Sequence, residues 1–263
     1  MALERLLLWV ETQSLFVIAL IAFGCCYAAA AIIFVLSRVV ASHRFAGQLK
    51  ATTPVMLTPL AVILGLLLAF VASRIWSNVD HANSYLRQEA GAIQEVLAFA
   101  DVLPSETRTE VRRALERYLQ FAGSEDWAAM MAGQANEHAL PSPLSDTMSI
   151  LLSVAPANRG QEIAQLQATL AIGRALDAGR NRIILSEASI MPIQWVTIVI
   201  LAVLMLLTIA MVHMDRPVAM ALNLFSLSTA VAACFTLLLV NDRPLSAGGN
   251  FIGPGVLTHI EID

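Results

Sequence analysis

The sequence predicts an all-α fold: an integral membrane protein with four transmembrane helices and a helical insert between the second and third. Two observations carry this expectation. First, 57% of the 263 residues are hydrophobic, only 14% are charged, and the mean hydropathy is +0.70. Soluble domains hold about 45–50% apolar and about 25% charged residues. Second, four apolar runs, at 14–36, 54–74, 191–212 and 217–240, reach the roughly 20 residues that a helix needs to cross hydrocarbon. No stretch alternates polar and apolar residues as a half-buried strand would. The chain therefore divides into residues 1–75 with the first two spans, an extramembrane insert at 76–189, the last two spans at 190–241, and a tail at 242–263.

The first span is expected to stay in place and not be cleaved as a signal peptide. Glu4, Arg5 and Glu11 precede it in place of a basic start, and its apolar length exceeds a signal core. The last two spans are joined by only His213-Met214-Asp215-Arg216, so they form an antiparallel hairpin, with Pro217 suited to the first turn of the fourth span. Beyond Arg74 and Trp76 the second helix continues out of the bilayer, because Ala82, Leu86, Ala90, Ile93 and Leu97 keep helical spacing up to Pro104. Arg74 can snorkel to the headgroups beside Trp76 as an interface anchor. Gln194 and Trp195 mark the start of the third span.

Within the insert, Ser105-Glu106 opens a helix whose apolar positions are Val111, Leu115, Tyr118 and Ala122, with Gly123 as its end. Glu125-Asp126-Trp127 reads as a further helix start, where acids suit the positive end of the dipole. Residues 141–146 and 156–160 read as turns. A long helix then runs from about 161 into the third span, with Ile163, Leu166, Leu170 and Gly173 as its packed stripe.

Several chemistries find no residues to carry them. Cys25, Cys26 and Cys234 lie in apolar runs, and the five histidines are scattered without ligand spacing, so neither a disulfide framework nor a metal site is expected. A net charge of −4 gives no reason to expect nucleic acid. Nucleophile elbow, phosphate loop and HExxH are all missing, and no catalytic residue or cofactor is assigned. Glu89 and Glu95 stand six apart on one helix and read as solvated surface. Arg174, Arg180 and Arg182 precede the third span, either as an anion-attracting ring in an oligomer or as lipid-facing charges or partners of Asp177 and Glu187. The insert holds ten arginines and fourteen acids over 74–189, which favours the second reading.

The second span carries the most informative pattern. Ala61, Gly65, Ala69 and Ser73 recur every four residues, a spacing of small side chains that lets helix backbones approach closely in lipid. One residue on, Thr58, Val62 and Leu66 form an adjacent face. Plain helix packing accounts for such a pattern, and so does a helix that turns the second face toward an axis. In the fourth span Asn223, Ser226 and Thr229 share a face that suits hydrogen bonding between helices or contact with water in a pore.

Pro59-Leu60-Ala61 through Gly65, followed by Arg74, Trp76 and Asn78, resembles the second span of the bestrophin family. Asn241-Asp242-Arg243-Pro244-Leu245 is similar to the segment that follows the last span there. The bacterial bestrophin-like proteins are closer still, through Glu89-Ala90-Gly91-Ala92-Ile93, Leu103-Pro104, Tyr118 and the neighbourhood of Glu125–Trp127. The resemblance implies a pentameric ion channel whose second span lines a narrow apolar neck, at Thr58, Val62 and Leu66. Family necks are bulkier and partly aromatic, so a polar Thr58 and a small Val62 imply a wider or wetter constriction. Calcium-activated bestrophins carry an acidic run after the last span. Here Asp242 is the only carboxylate in 241–253, too few for a cation that favours several oxygen ligands.

Orientation divides the two lines of reasoning. Arg38, Arg44, Lys50 and Arg216 lie on one face of the membrane, which the positive-inside rule places in the cytoplasm. The resemblance instead keeps the insert and both ends in the cytosol, and it rests on more positions. The expected setting is a bacterial inner membrane, the expected partners lipid, permeant ions and further copies of the chain. A membrane-anchored sensor or scaffold, with the insert as its input domain, is the alternative from a different class.

Overall fold

A computed structural model describes residues 13–41, 54–132, 134–135, 141–242, 245, 252–258 and 260. Every regular element among them is helical. They are α1 (Leu15–Ala41), α2 (Leu57–Ala100), α3 (Ser105–Phe121), α4 (Trp127–Met131), α5 (Ser142–Ser153), α6 (Arg159–Glu187), α7 (Pro192–Val212), α8 (Pro217–Asn241) and α9 (Gly255–Thr258). Arg44, Lys50, Arg243, Pro244 and the residues before Gln13 lie outside the described set. Two compact units emerge, residues 1–76 with 189–243, and residues 77–188 with 244–263.

The first unit holds α1, the start of α2, α7 and α8. Each of these four helices is long and apolar enough to cross a membrane, and the protein is a multi-pass membrane protein. Leu64, Val71 and Ile75 of α2 pack with Trp195 and Ile198 of α7 and with Val231 and Leu238 of α8. A second cluster joins Ala30 and Ile33 of α1 to Leu206 and Ile209 of α7 and to Met220 and Leu224 of α8. Polar side chains add links between these helices. The Tyr27 hydroxyl meets Thr229 Oγ1 at 3.0 Å, and its ring stacks on Phe225 with centroids 5.3 Å apart. Asn223 reaches His213 Nε2 at 3.3 Å. Interhelical bonding thus occupies both Asn223 and Thr229, while Ser226 is exposed. Trp195 is a core residue, edge-on to Phe235 at 5.9 Å.

Helix α6 does not run into the third span. It ends at Glu187, and residues 188–191 are non-helical before α7 begins at Pro192. A proline disfavours helical backbone at the residue before it yet suits a helix's first turn, so Pro192 both breaks one helix and starts the next. Asp242, fully buried, accepts the backbone N–H of Ile190 at 2.9 Å and fixes the break.

The second unit begins on α2, which continues unbroken to Ala100. Ala82, Leu86, Ala90 and Ile93 are buried there. Val111, Leu115 and Tyr118 of α3 join the same core. Gly123 does not end that helix. The chain passes through a π-helical turn, Ala122–Asp126, straight into α4, so Glu125-Asp126-Trp127 is no helix start. Residues 141–146 open α5, with Pro143 in its first turn, where a proline's missing N–H costs nothing. Asn158 caps α6 by accepting the Gln161 N–H at 3.0 Å, and Gln161 Oε1 accepts the Ala157 N–H at 2.9 Å.

The packed face of α6 also differs from the expectation. Ile163, Leu166 and Leu170 are exposed. The buried positions include Ala164, Ala168, Ala171, Ala175 and Ala178, a ladder of small residues that permits close backbone approach, together with Ile172 and Ile183. From the tail, Leu245, Ile252 and Leu257 are buried in this unit's core.

Candidate functional site

Residues of the second span come first. At 3.6 residues per turn, every fourth residue advances by about 40° around a helix, so the two predicted stripes interleave. In α2 they share one side. Thr58, Gly65, Ala69 and Ser73 are exposed, Val62 is 61% and Leu66 54% exposed, and Ala61 is half-buried. The opposite side, through Leu64, Val71 and Ile75, packs on α7 and α8. Among the described residues, therefore, the small side chains do not seat a neighbouring helix. A Cβ added at Gly65 would meet nothing within 4 Å. Thr58, Ala61 and Val62 line a groove of about 510 Å³ with His213 and Asn223 on its far wall. There His213 Nδ1 lies 3.1 Å from the Ile209 carbonyl. A carbonyl only accepts, so Nδ1 carries the proton and Nε2 is left to accept from the Asn223 amide. The groove thus presents a hydroxyl, an amide and an imidazole beside apolar wall.

A buried charge cluster lies in the second unit, and sequence reasoning missed it. Glu89 is 0% and Arg182 1% exposed. Arg182 Nε donates to Glu89 Oε2 at 2.9 Å and one terminal nitrogen to Asp126 Oδ2 at 2.9 Å. The other terminal nitrogen lies 3.2 Å from Met130 Sδ, and the guanidinium stands 5.7 Å from the centre of the Trp127 ring. Tyr118 donates to Glu89 Oε1 at 2.6 Å. Four elements and the π turn are tied at this point: Glu89 from α2, Tyr118 from α3, Asp126 from the turn, Trp127 and Met130 from α4, and Arg182 from α6.

The electrostatics follow from burial. Dehydration is the largest single influence and opposes the guanidinium's charge, but Glu89, Tyr118 and Asp126 together outweigh it and hold Arg182 above its ordinary value. Burial, then the charge of Glu89 and the hydrogen bond to it, push the Tyr118 phenol well above its usual range. Gly179 lets the cluster close. A Cβ there would stand 3.3 Å from the Tyr118 hydroxyl and 3.8 Å from the Glu89 carboxylate.

Arg182 is thus no member of an exposed ring, and its partners are Glu89 and Asp126, not Asp177 or Glu187. Glu89 is not solvated surface. Glu95 is exposed and pairs with Arg174. Among the described residues no three His, Cys, Asp or Glu stand together as metal ligands.

A family model described as Bestrophin-like domain matches residues 24–249 of the chain. No curated protein and no solved structure matches.

Proposed function

The chain belongs to the bestrophin-like family, and from that membership we propose that it assembles into a homo-oligomeric ion channel, a pentamer, with the second span of each copy around a central path. The carrying observation is the free side of α2. Thr58, Val62 and Leu66 lie there together with Gly65, Ala69 and Ser73, uncovered by any helix among the described residues. In a ring of copies the small residues give room for close helix approach, and Thr58, Val62 and Leu66, interleaved with them on the same side, turn to the axis. An apolar constriction at Val62 and Leu66 gates by dewetting, with Thr58 as a polar step at its mouth. The permeant species is a small ion, the setting a bacterial inner membrane, and the chemistry transport with no catalytic step. Family resemblance puts the insert on the cytosolic side.

A second reading has one observation in its favour. Ile163, Leu166 and Leu170 form an exposed apolar stripe on α6, outside the spans. A sensor or scaffold would dock a partner there, whereas in a channel the stripe seals one copy against the next.

Particle images of the purified protein separate the two. A five-fold ring with a central opening supports the channel. A dimer with no axial opening removes it and leaves the sensor.

A further inference from the structure

The groove beside Thr58 holds more than side chains of the second span. Thr58, Ala61 and Val62 of α2 form one wall, and His213 and Asn223 stand on the other. All lie at one end of the spans. Thr58 is the second residue of α2, His213 follows the last residue of α7, and Asn223 is the seventh residue of α8. A path along Thr58 and Val62 therefore runs past an imidazole and an amide as well. No charged side chain lies on α7, on α8 or in the first four turns of α2. The charged groups at this end among the described residues are Asp215 and Arg216, in the same turn as His213, and Arg38 near the end of α1.

The bonds fix what this wall presents. His213 is half-buried and Asn223 exposed. His213 Nδ1 lies 3.1 Å from the Ile209 carbonyl, which only accepts, so Nδ1 keeps its proton in either charge state. Nε2 lies 3.3 Å from Asn223 Nδ2. In the neutral ring Nε2 accepts from that nitrogen, and the amide oxygen points away from the ring. The wall then offers oxygen to an ion, from the Asn223 amide and, across the groove, from the Thr58 hydroxyl. A proton taken from water onto Nε2 reverses this. Both ring nitrogens become donors, two donors face each other, and the bond is restored only when the amide turns over to offer its oxygen to the ring. The amide N–H groups then point away from the ring, beside a new positive charge. Granted the channel reading, on which this rests, we propose that His213 and Asn223 form a charge filter at the mouth of the ion path: the neutral pair presents oxygen to cations, and the protonated pair presents N–H groups and positive charge to anions. Repeated around the axis, such pairs make a ring of charge of the kind that sets ion selectivity.

Reversal potentials test this. The full chain in planar bilayers, under a potassium chloride gradient, is recorded at pH 8 and at pH 5, the span in which histidine changes charge. Acidification is expected to move the wild-type reversal potential toward that of chloride. His213→Gln can still bond to Asn223 but gains no charge, and its reversal potential is expected to be the same at both pH values. Should that variant fail to fold, Asn223→Cys takes its place, in a background freed of Cys25, Cys26 and Cys234. At pH 8 a positively charged methanethiosulfonate, added to both chambers, is expected to reproduce the acid shift, and a negatively charged one to move the potential the other way. A wild-type potential that does not move with pH overturns the filter and leaves the channel standing. So does a shift that survives in His213→Gln, or an Asn223→Cys protein whose currents neither reagent alters. Absence of current at every pH removes the channel reading, and the filter with it.

Discussion

Glu89 and Arg182 are 93 positions apart and each lies on an otherwise apolar helix face, which is why their pairing was hidden and where its trace lay. Glu89 falls within the buried series of Leu86, Ala90 and Ile93, and Arg182 extends the series of Ala175 and Ala178 by one turn. A charge at a core position of one helix calls for an opposite charge at a core position of another. The π turn that carries Asp126 into reach has no comparable signature in the sequence. Removing one member of a buried pair strands the other, at about 3–5 kcal/mol. Arg182→Met is therefore expected to lower the thermal midpoint of the purified protein sharply, while Arg174→Met, at the exposed pair with Glu95, shifts it little. Tyr118→Phe takes the hydroxyl from Glu89 and is expected to destabilise by about 1–3 kcal/mol at neutral pH. The sign of its pH dependence is fixed by the raised phenol. The folded protein keeps a proton that the unfolded chain releases near pH ~10, so this contribution is whole below that pH and declines as pH rises beyond it. Melting curves at high alkaline pH should fall more steeply for wild type than for Tyr118→Phe.

At the scale of the helix, the sequence revealed which segments are helical more surely than which side each one packs. All four spans were legible, because apolar length alone predicts them. So was the extension of α2 past the bilayer, from its spaced Ala and Leu positions. For α6 the spacing of Ile163, Leu166 and Leu170 suggested the packed face, but these three are exposed and the buried side is mostly alanine, with Ile172 and Ile183. Pattern reading weighs hydrophobic bulk, whereas close packing here uses small volume. In α2 the contrast between faces yields a test. Leu64 is buried against α7 and α8, and Leu64→Ala is expected to destabilise the protomer by about 2–5 kcal/mol. Gly65 has open space around it within the chain, so Gly65→Leu should leave the protomer's helix content and melting unchanged. If the free side of α2 faces other copies, the same substitution breaks the assembly, seen as a drop in particle mass by light scattering. An assembly of unchanged mass would mean that this side faces lipid.

For the molecule as a whole, an all-α multi-pass architecture and membership of the bestrophin-like family leave two properties to experiment, sidedness and conduction. The charge rule and the family resemblance predict opposite sidedness. A cysteine placed at Ser105, exposed in the insert, settles the question in a background freed of Cys25, Cys26 and Cys234. A cytosolic insert is labelled by an impermeant maleimide only after cells are opened, and labelling of intact cells would put the insert outside. Conduction is the central claim. Its most direct test is single-channel recording in planar bilayers of wild type beside Val62→Ala and Leu66→Ala. Unitary currents are predicted for wild type, with amplitude or open probability raised in both variants as the constriction loses bulk. Reversal potentials in salt gradients then name the ion. Silence from all three proteins, with folding and insertion shown, would contradict the channel.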